Sequence, residues 1–261
     1  MRRKRVRSLE QAAAFVDDVG LAIVFPKADL VLPSLWEATA GPGPLEWAVR
    51  DENGKFLSFT EDFGRVWRWK DELPERRLAC AGKHAARAVC LVSPKLLAAL
   101  YALTGRPGRP DDFREAELDP LQLEVAEAVL ENGPCSGPEL RRLLGGAEKR
   151  RVDAAIESLQ RELVLTNAGN TEQEPGWPAV TQDILARRWH RYLRRLPAGG
   201  DARETLASTV LAAAPDEVSA ADLAAALGWR RNQAAAVLDA VTERGLARSR
   251  DEDDIRLWAP T

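Results

Sequence analysis

The run Ala186-Arg187-Arg188-Trp189-His190-Arg191-Tyr192-Leu193-Arg194-Arg195 sets five arginines among two large aromatic rings. Guanidinium groups neutralise phosphates and flat rings stack on bases, so this mixture suits a nucleic-acid backbone with an exposed base. In a helix the same spacing puts Trp189, Tyr192 and Leu193 on one face, which reads equally as a packing stripe with solvated arginines. Two further clusters stand where helices start: Lys149, Arg150 and Arg151, then Arg230, Arg231, Asn232 and Gln233. Arginine pairs with guanine edges and Asn or Gln with adenine, and all of these side chains also reach phosphates. A solvated helix start is the plain alternative for both clusters. Residues 1–7 add a basic arm containing Arg2, Arg3, Lys4 and Arg5.

Other chemistry is sparse. There is no P-loop, no GxGxxG after a strand, no nucleophile elbow and no HExxH. The three cysteines, Cys80, Cys90 and Cys135, lack CxxC spacing, and His84 and His190 are the only histidines. That set argues against a disulfide framework or a zinc site, so no metal and no cofactor are expected, and packing is the plain role for these residues. The stretch Trp67-Arg68-Trp69-Lys70-Asp71-Glu72-Leu73-Pro74 concentrates rings and charges. It suits one wall of a pocket for an extruded base, or a tryptophan-anchored core with surface ion pairs.

These residues need elements to hold them. Ser8 and Gln11 make a capping box for a helix carrying Ala12, Phe15, Val16 and Val19, which Gly20 stops. Leu35–Ala38 reads as a second short helix. Glu46–Arg50 alternates like a strand, Asp51–Gly54 turns, and Lys55–Phe59 returns as the hairpin partner. A helix around Leu96–Leu103 closes an N-terminal helical and hairpin unit over 1–104, which can also be read as a divergent winged helix. Residues 105–118, opening on Gly105-Arg106-Pro107-Gly108-Arg109-Pro110, read as a linker.

Beyond it, one order of elements occurs twice. Asp119-Pro120 opens a helix, Ser136 and Glu139 open a short second one, a third runs from about Glu148 to Leu163, and Val164–Thr166 starts a hairpin returning toward Trp177. At the C-terminus helices over 201–214, 219–227 and 229–244 precede the hairpin Leu246–Ser249 with Ile255–Trp258. Gly133-Pro134-Cys135-Ser136 with Glu139-Leu140 parallels Asp216-Glu217-Val218-Ser219 with Asp222-Leu223. The expected fold is mainly α with small β-hairpins and tandem winged-helix domains, at 119–182 and 201–261, joined by a basic helical connector at 183–200.

Bulk properties set the frame. At 261 residues with 45% hydrophobic side chains, the chain can bury a sizeable core in two or three compact units. The net charge of −3 does not mark a nucleic-acid binder, so distribution must carry that argument. Apolar runs such as Leu21–Phe25 are far shorter than the roughly 20 residues a membrane span needs, and the acids Glu10, Asp17 and Asp18 interrupt any signal-peptide core. A soluble, cytoplasmic protein with no membrane partner is expected.

Gly20-Leu21-Ala22-Ile23-Val24-Phe25, the Leu30–Glu37 stretch, the Trp67–Glu72 cluster and the repeated helical order together resemble the AlkZ/YcaQ-like bacterial DNA glycosylases, in a shorter, divergent AlkZ-related branch. The resemblance spans most of the chain and implies winged-helix architecture, DNA as partner and excision of alkylated or crosslinked bases. Catalytic members carry Gln-x-Gln or Gln-x-Asp just after the Gly-Leu that ends the first helix, and the matching slots here hold Ile23 and Phe25. Neither has a polar atom to orient a water. The family's tryptophan-then-histidine feature is altered as well, with Trp69 kept and Asp71 where histidine is expected. The catalytic residues are therefore unassigned. Asp29, Asp71 and Glu72 are the candidates for activating water, and Lys27 for attack on a sugar carbon. The expectation is a DNA-binding protein resembling these repair glycosylases but lacking their motif. The alternatives are a glycosylase with a displaced catalyst, and a winged-helix regulator or protein–protein module.

Overall fold

The computed structural model describes residues 5–171 and 178–261, so the expected turn toward Trp177 and the first four residues of the basic arm lie outside the described residues. Helix α1 (Leu9–Val19) starts where Ser8 accepts a hydrogen bond from the Gln11 N–H, and it ends at Gly20, whose φ of +74° a side chain would resist. Strand β1 (Leu21–Ile23) follows directly, then the short helix α2 (Leu35–Ala40). Strands β2 (Ala48–Arg50) and β3 (Phe56–Phe59) form a separate hairpin, and helix α3 (Glu61–Glu75) leaves it. A second hairpin, β4 (Cys80–Ala85) and β5 (Ala88–Val92), leads into α4 (Pro94–Ala102).

The chain then runs through α5 (Pro120–Asn132), β6 (Cys135–Ser136), α6 (Gly137–Leu143), α7 (Lys149–Arg161), β7 (Leu165–Asn170) and β8 (Val180–Ile184). Capping boxes at Asp119 with Gln122 and at Ser136 with Glu139 fix where α5 and α6 begin. Two single-turn helices, α8 (Leu185–Arg188) and α9 (His190–Leu193), connect to α10 (Gly199–Ala213). Strand β9 (Val218–Ser219), α11 (Ala220–Leu227), α12 (Arg231–Glu243), β10 (Ala247–Glu252) and β11 (Ile255–Pro260) complete it.

The sheet overturns the expectation of a mainly α fold with tandem winged-helix domains. Hairpin β7–β8 is not a free wing, because β7 pairs with β4 and so joins an antiparallel six-stranded sheet in the order β1-β5-β4-β7-β8-β6. The protein is about half helix and one-fifth strand, an α/β fold. Strands distant in the chain thus share the six-stranded sheet, while β10, β11 and β9 form a separate three-stranded sheet in that order.

Both faces of that sheet are covered. Cys80 and Cys90 belong to one buried cluster while their neighbours Ala81 and Leu91 belong to a second, as the alternation of side chains along a strand requires. The larger cluster extends from Leu21 to Trp258 and includes residues of α4, α5, α7 and α10 to α12. The smaller one gathers Val16, Trp36, Val66, Trp69 and Leu73 from α1, α2 and α3.

The β4–β7 seam is held by few ladder bonds, with Ala81 opposite Asn167 as its register pair. Side chains supplement it. The Gln160 carboxamide accepts from the Lys83 N–H (2.8 Å) and donates to Asn167 Oδ1 (2.8 Å) and Gln182 Oε1 (2.7 Å). Thr166 Oγ1 donates to the Ala81 carbonyl at 2.9 Å, and His84 Nδ1 lies 2.8 Å from the Gln160 carbonyl. A satisfied network of this kind is favourable in a low dielectric, and burial lowers the His84 pKa against its backbone hydrogen bonds.

Within residues 105–118, Arg106, Asp112 and Phe113 are buried. Asp112, 2% exposed, accepts from Tyr101 Oη (2.8 Å), the Gly108 N–H (2.7 Å) and the Arg109 N–H (3.1 Å), and pairs with Arg106. Among the described residues no helix is long and apolar enough to cross a membrane, and no group of His, Cys, Asp and Glu is arranged to hold a metal.

Candidate functional site

A groove of about 1210 Å³ opens between α1, the 26–34 loop and α2, with Ala213 and Pro215 at the end of α10 on its rim. Arg5, Arg7 and Lys27 bring positive charge to its lining, and Asp18 and Glu37 bring carboxylates. Arg7 is partly committed, donating to Asp62 at 2.8 Å. The Glu37 carboxylate accepts from Ser34 Oγ at 2.6 Å while that oxygen accepts from the Glu37 N–H at 3.1 Å. Sequence reasoning singled out the Leu30–Glu37 stretch without assigning Glu37 a role. The Ser34-x-x-Glu37 spacing was the available signal, but it reads as a helix cap.

The two slots that precede this loop in the chain, Ile23 and Phe25, are apolar. Ile23 is 1% exposed and pairs across β1 with Cys90. Phe25 packs its ring 5.5 Å from Phe63, 6.4 Å from Trp36 and 6.5 Å from Trp67. Lys27 lines the groove, and Asp29 is exposed on the turn that Leu30 closes by donating to the Lys27 carbonyl. Asp71 is elsewhere, on α3, held by Lys70 Nζ at 2.7 Å and by Asn170 Nδ2 at 2.8 Å. Glu72, half-buried on the same helix, adds no contact to the groove, so the three carboxylates are not brought together. The Trp67–Glu72 cluster divides, with Trp69 in the core and Trp67 at 40% exposure.

The cysteines offer no nucleophile. Burial pushes the thiols of Cys80 and Cys90 up to about 12 and raises that of Cys135, and all three are free.

The structure sorts the cationic residues by what they touch. Arg187 donates to Asp183 (2.6 Å) and to the carbonyls of Leu130 (2.8 Å) and Val129 (3.0 Å), closing the end of α5. Arg188 is turned inward, donating to the carbonyls of Pro74 (2.5 Å), Glu75 (2.9 Å) and Ala168 (3.2 Å) beside Asp183. Arg191, Arg194 and Arg195 are exposed. The Arg191 guanidinium lies 4.6 Å from the centre of the Tyr192 ring, and Arg194 lies 3.3 Å from His190 Nε2. Trp189 is buried at 1%, so the packing stripe accounts for it.

Lys149, Arg150 and Arg151 stand exposed at the start of α7, with Lys149 paired to Asp153. Arg230, Arg231, Asn232 and Gln233 are exposed at the start of α12. Arg231 and Asn232 share a hollow of about 530 Å³ with Arg256 and Trp258 of β11. Arg256 escaped the sequence reading because it lies in a strand that reads as a simple hairpin arm.

The AlkZ-related family model matches residues 6–224. The chain belongs to the AlkZ-related family. Among solved structures, the Streptomyces sahachiroi DNA glycosylase AlkZ matches with a TM-score of 0.55 and 14% identity, over 99% of this chain. At that identity the likeness shows the fold alone. The chain spans 65% of the length of that structure. No curated protein matches the sequence significantly. The family match ends within α11, so the exposed start of α12 in this AlkZ-related chain lies past the matched residues.

Proposed function

We infer that this AlkZ-related protein binds duplex DNA and serves DNA repair without the base-excision chemistry for which the similar solved structure is named. The observation that carries this reading is the pair Ile23 and Phe25: one buried in the sheet, the other stacked among aromatic rings, and neither reaching the groove that Arg5, Arg7, Lys27, Asp18 and Glu37 line. A monofunctional glycosylase needs an oriented acceptor to make a water nucleophilic beside the departing base, and neither side chain supplies one. DNA affinity rests on different residues, the exposed cations at the starts of α7 and α12 and on α9 with its C-terminal flank, and these are unaffected by the apolar slots.

The test is to incubate the protein with alkylated and crosslinked duplexes and then cleave abasic sites with alkali. The expected outcome is DNA binding without protein-dependent strand breaks. Breaks that vanish in Asp29→Asn, Asp71→Asn or Glu72→Gln would overturn the reading and establish a displaced catalyst.

A further inference from the structure

Hairpin β2–β3 belongs to no larger sheet, and its strand residues are exposed except for the half-buried Ala48. An isolated two-stranded hairpin is marginal in water and has little to offer a core, yet this one carries large apolar side chains outward. Trp47, Phe56 and Phe59 are 40–43% exposed, and none of them joins either buried cluster. Their ring centres lie 5.3–6.1 Å apart. From Phe59 the row continues along α3 to Phe63 at 5.1 Å and Trp67 at 5.6 Å, with interplanar angles of 28° and 21°. A cation sits over the ring at each end: Arg50 lies 5.3 Å from the centre of Trp47 and Lys70 lies 4.3 Å from that of Trp67.

We propose that this aromatic row is a stacking platform for unpaired bases, engaging single-stranded or locally opened DNA. Sequence-tolerant binding of single strands combines successive aromatic faces with cations that follow the phosphates, and base–aromatic stacking suits any base. Of the acids on α3, Glu61 and Asp62 are paired with Arg65 and Arg7, and Asp71 holds Lys70; on the hairpin Glu46, Asp51 and Glu52 offset Arg50 and Lys55, so the rings and not net charge carry the contact. The platform also adjoins the groove between α1, the 26–34 loop and α2. Phe63 stacks on Phe25 at 5.5 Å, and the next two residues, Pro26 and Lys27, line that groove. The platform thus rests on the DNA-binding reading above and extends it to a class of DNA that the helix starts do not select.

Fluorescence anisotropy with three labelled probes tests it: an oligothymidylate of about 20 nucleotides, a duplex of similar length, and that duplex with a short unpaired bubble. Trp47→Ala with Phe56→Ala is expected to weaken binding to the oligothymidylate and the bubble by about tenfold or more, and to the plain duplex by less than about twofold. Trp47→Leu should share the loss because it keeps apolar bulk without a ring face, whereas Trp47→Phe should restore most of the affinity. Circular dichroism and thermal melting verify that each variant is folded, as expected for side chains outside the buried clusters. Unchanged single-strand affinity in the folded double variant overturns the platform and leaves duplex binding standing. Absence of binding to every probe overturns the DNA-binding reading and the platform with it. Self-association of the native protein that the double variant abolishes, with single-strand affinity intact, overturns the platform in favour of a second copy of the chain.

Discussion

At Arg188 the guanidinium meets three backbone oxygens and the Asp183 carboxylate, whereas Arg191, three residues later, is exposed and lies across the half-buried Tyr192 ring. The two side chains stand in one arginine run, and composition alone assigns them the same role. Their surroundings assign opposite ones. Removing Arg188 leaves Asp183, 5% exposed, without that charge and three carbonyls without its donors. Asp183 keeps Arg187 at 2.6 Å, so Arg188→Ala is expected to destabilise the protein by about 1–3 kcal/mol, the usual cost of leaving buried acceptors without a donor. Arg191→Ala with Arg194→Ala should leave the urea midpoint almost unchanged and weaken DNA binding. Denaturation and anisotropy on the same samples check both outcomes, and equal midpoints for all variants would show that Arg188 is not structural. The distinction was not legible in the sequence, because the carbonyls that bind Arg188 belong to Pro74, Glu75 and Ala168, far along the chain. What was legible is the chemistry of absence: the apolar Ile23 and Phe25 follow from residue identity once the resemblance places them.

Elements with local signals were the ones the sequence could reveal. Ser8, Asp119, Ser136 and Ser219 each cap a helix through their own side chains, so short-range chemistry is enough to find the starts of α1, α5, α6 and α11. Hairpin β2–β3 was equally visible because its turn residues and its apolar flanks lie side by side. Strands β1, β4 and β5 had no such mark. Their side chains are buried on both faces, which removes the alternation that betrays a half-buried strand, and β4 is built from Cys, Ala, Gly, Lys and His, not β-branched residues. Two of their pairings are also remote in the chain, β1 with β5 as at Leu21 opposite Val92, and β4 with β7 as at Ala81 opposite Asn167. The junction of α1 and β1 offers a measurement at this scale. A Cβ at Gly20 would come 2.5 Å from Thr209 Cγ2 of α10 and 3.3 Å from Leu96 Cδ2 of α4, on top of the strain of a φ of +74°. Gly133 ends α5 at φ +84° with nothing within 4 Å, so its substitution carries the backbone strain alone. Gly20→Ala is expected to cost about 1–3 kcal/mol more than Gly133→Ala in urea denaturation. Equal costs would mean that α10 does not press on this junction.

Over the whole molecule the net charge of −3 opposes the approach of DNA, and local clusters must overcome it. Many cations are internally engaged, as Arg187 and Arg188 are by Asp183, Arg250 by Glu217, and Arg114 by Glu127. The exposed starts of α7 and α12 differ, because Arg150, Arg151, Arg230 and Arg231 have no ion-pair partner among the described residues. A protein of this charge pattern should bind duplex DNA weakly at high salt and steeply better at low salt, since each phosphate neutralised releases condensed counterion. The log–log slope of affinity against salt should be negative, with about 0.9 contributed by each contact. Arg230→Ala with Arg231→Ala then has two expected effects on a folded protein: lower affinity, and a slope shallower by about 1.8. The pair stands on the exposed face of α12, away from the buried Ala234, Leu238 and Val241, so the melting temperature should be preserved. Anisotropy titrations at several salt concentrations read both quantities at once. A folded double variant with native affinity and native slope would place the DNA contact elsewhere, on α7 or α9. Reduced affinity with an unchanged slope would mean that α12 contributes packing or water-mediated contacts and that its charges do not reach phosphate.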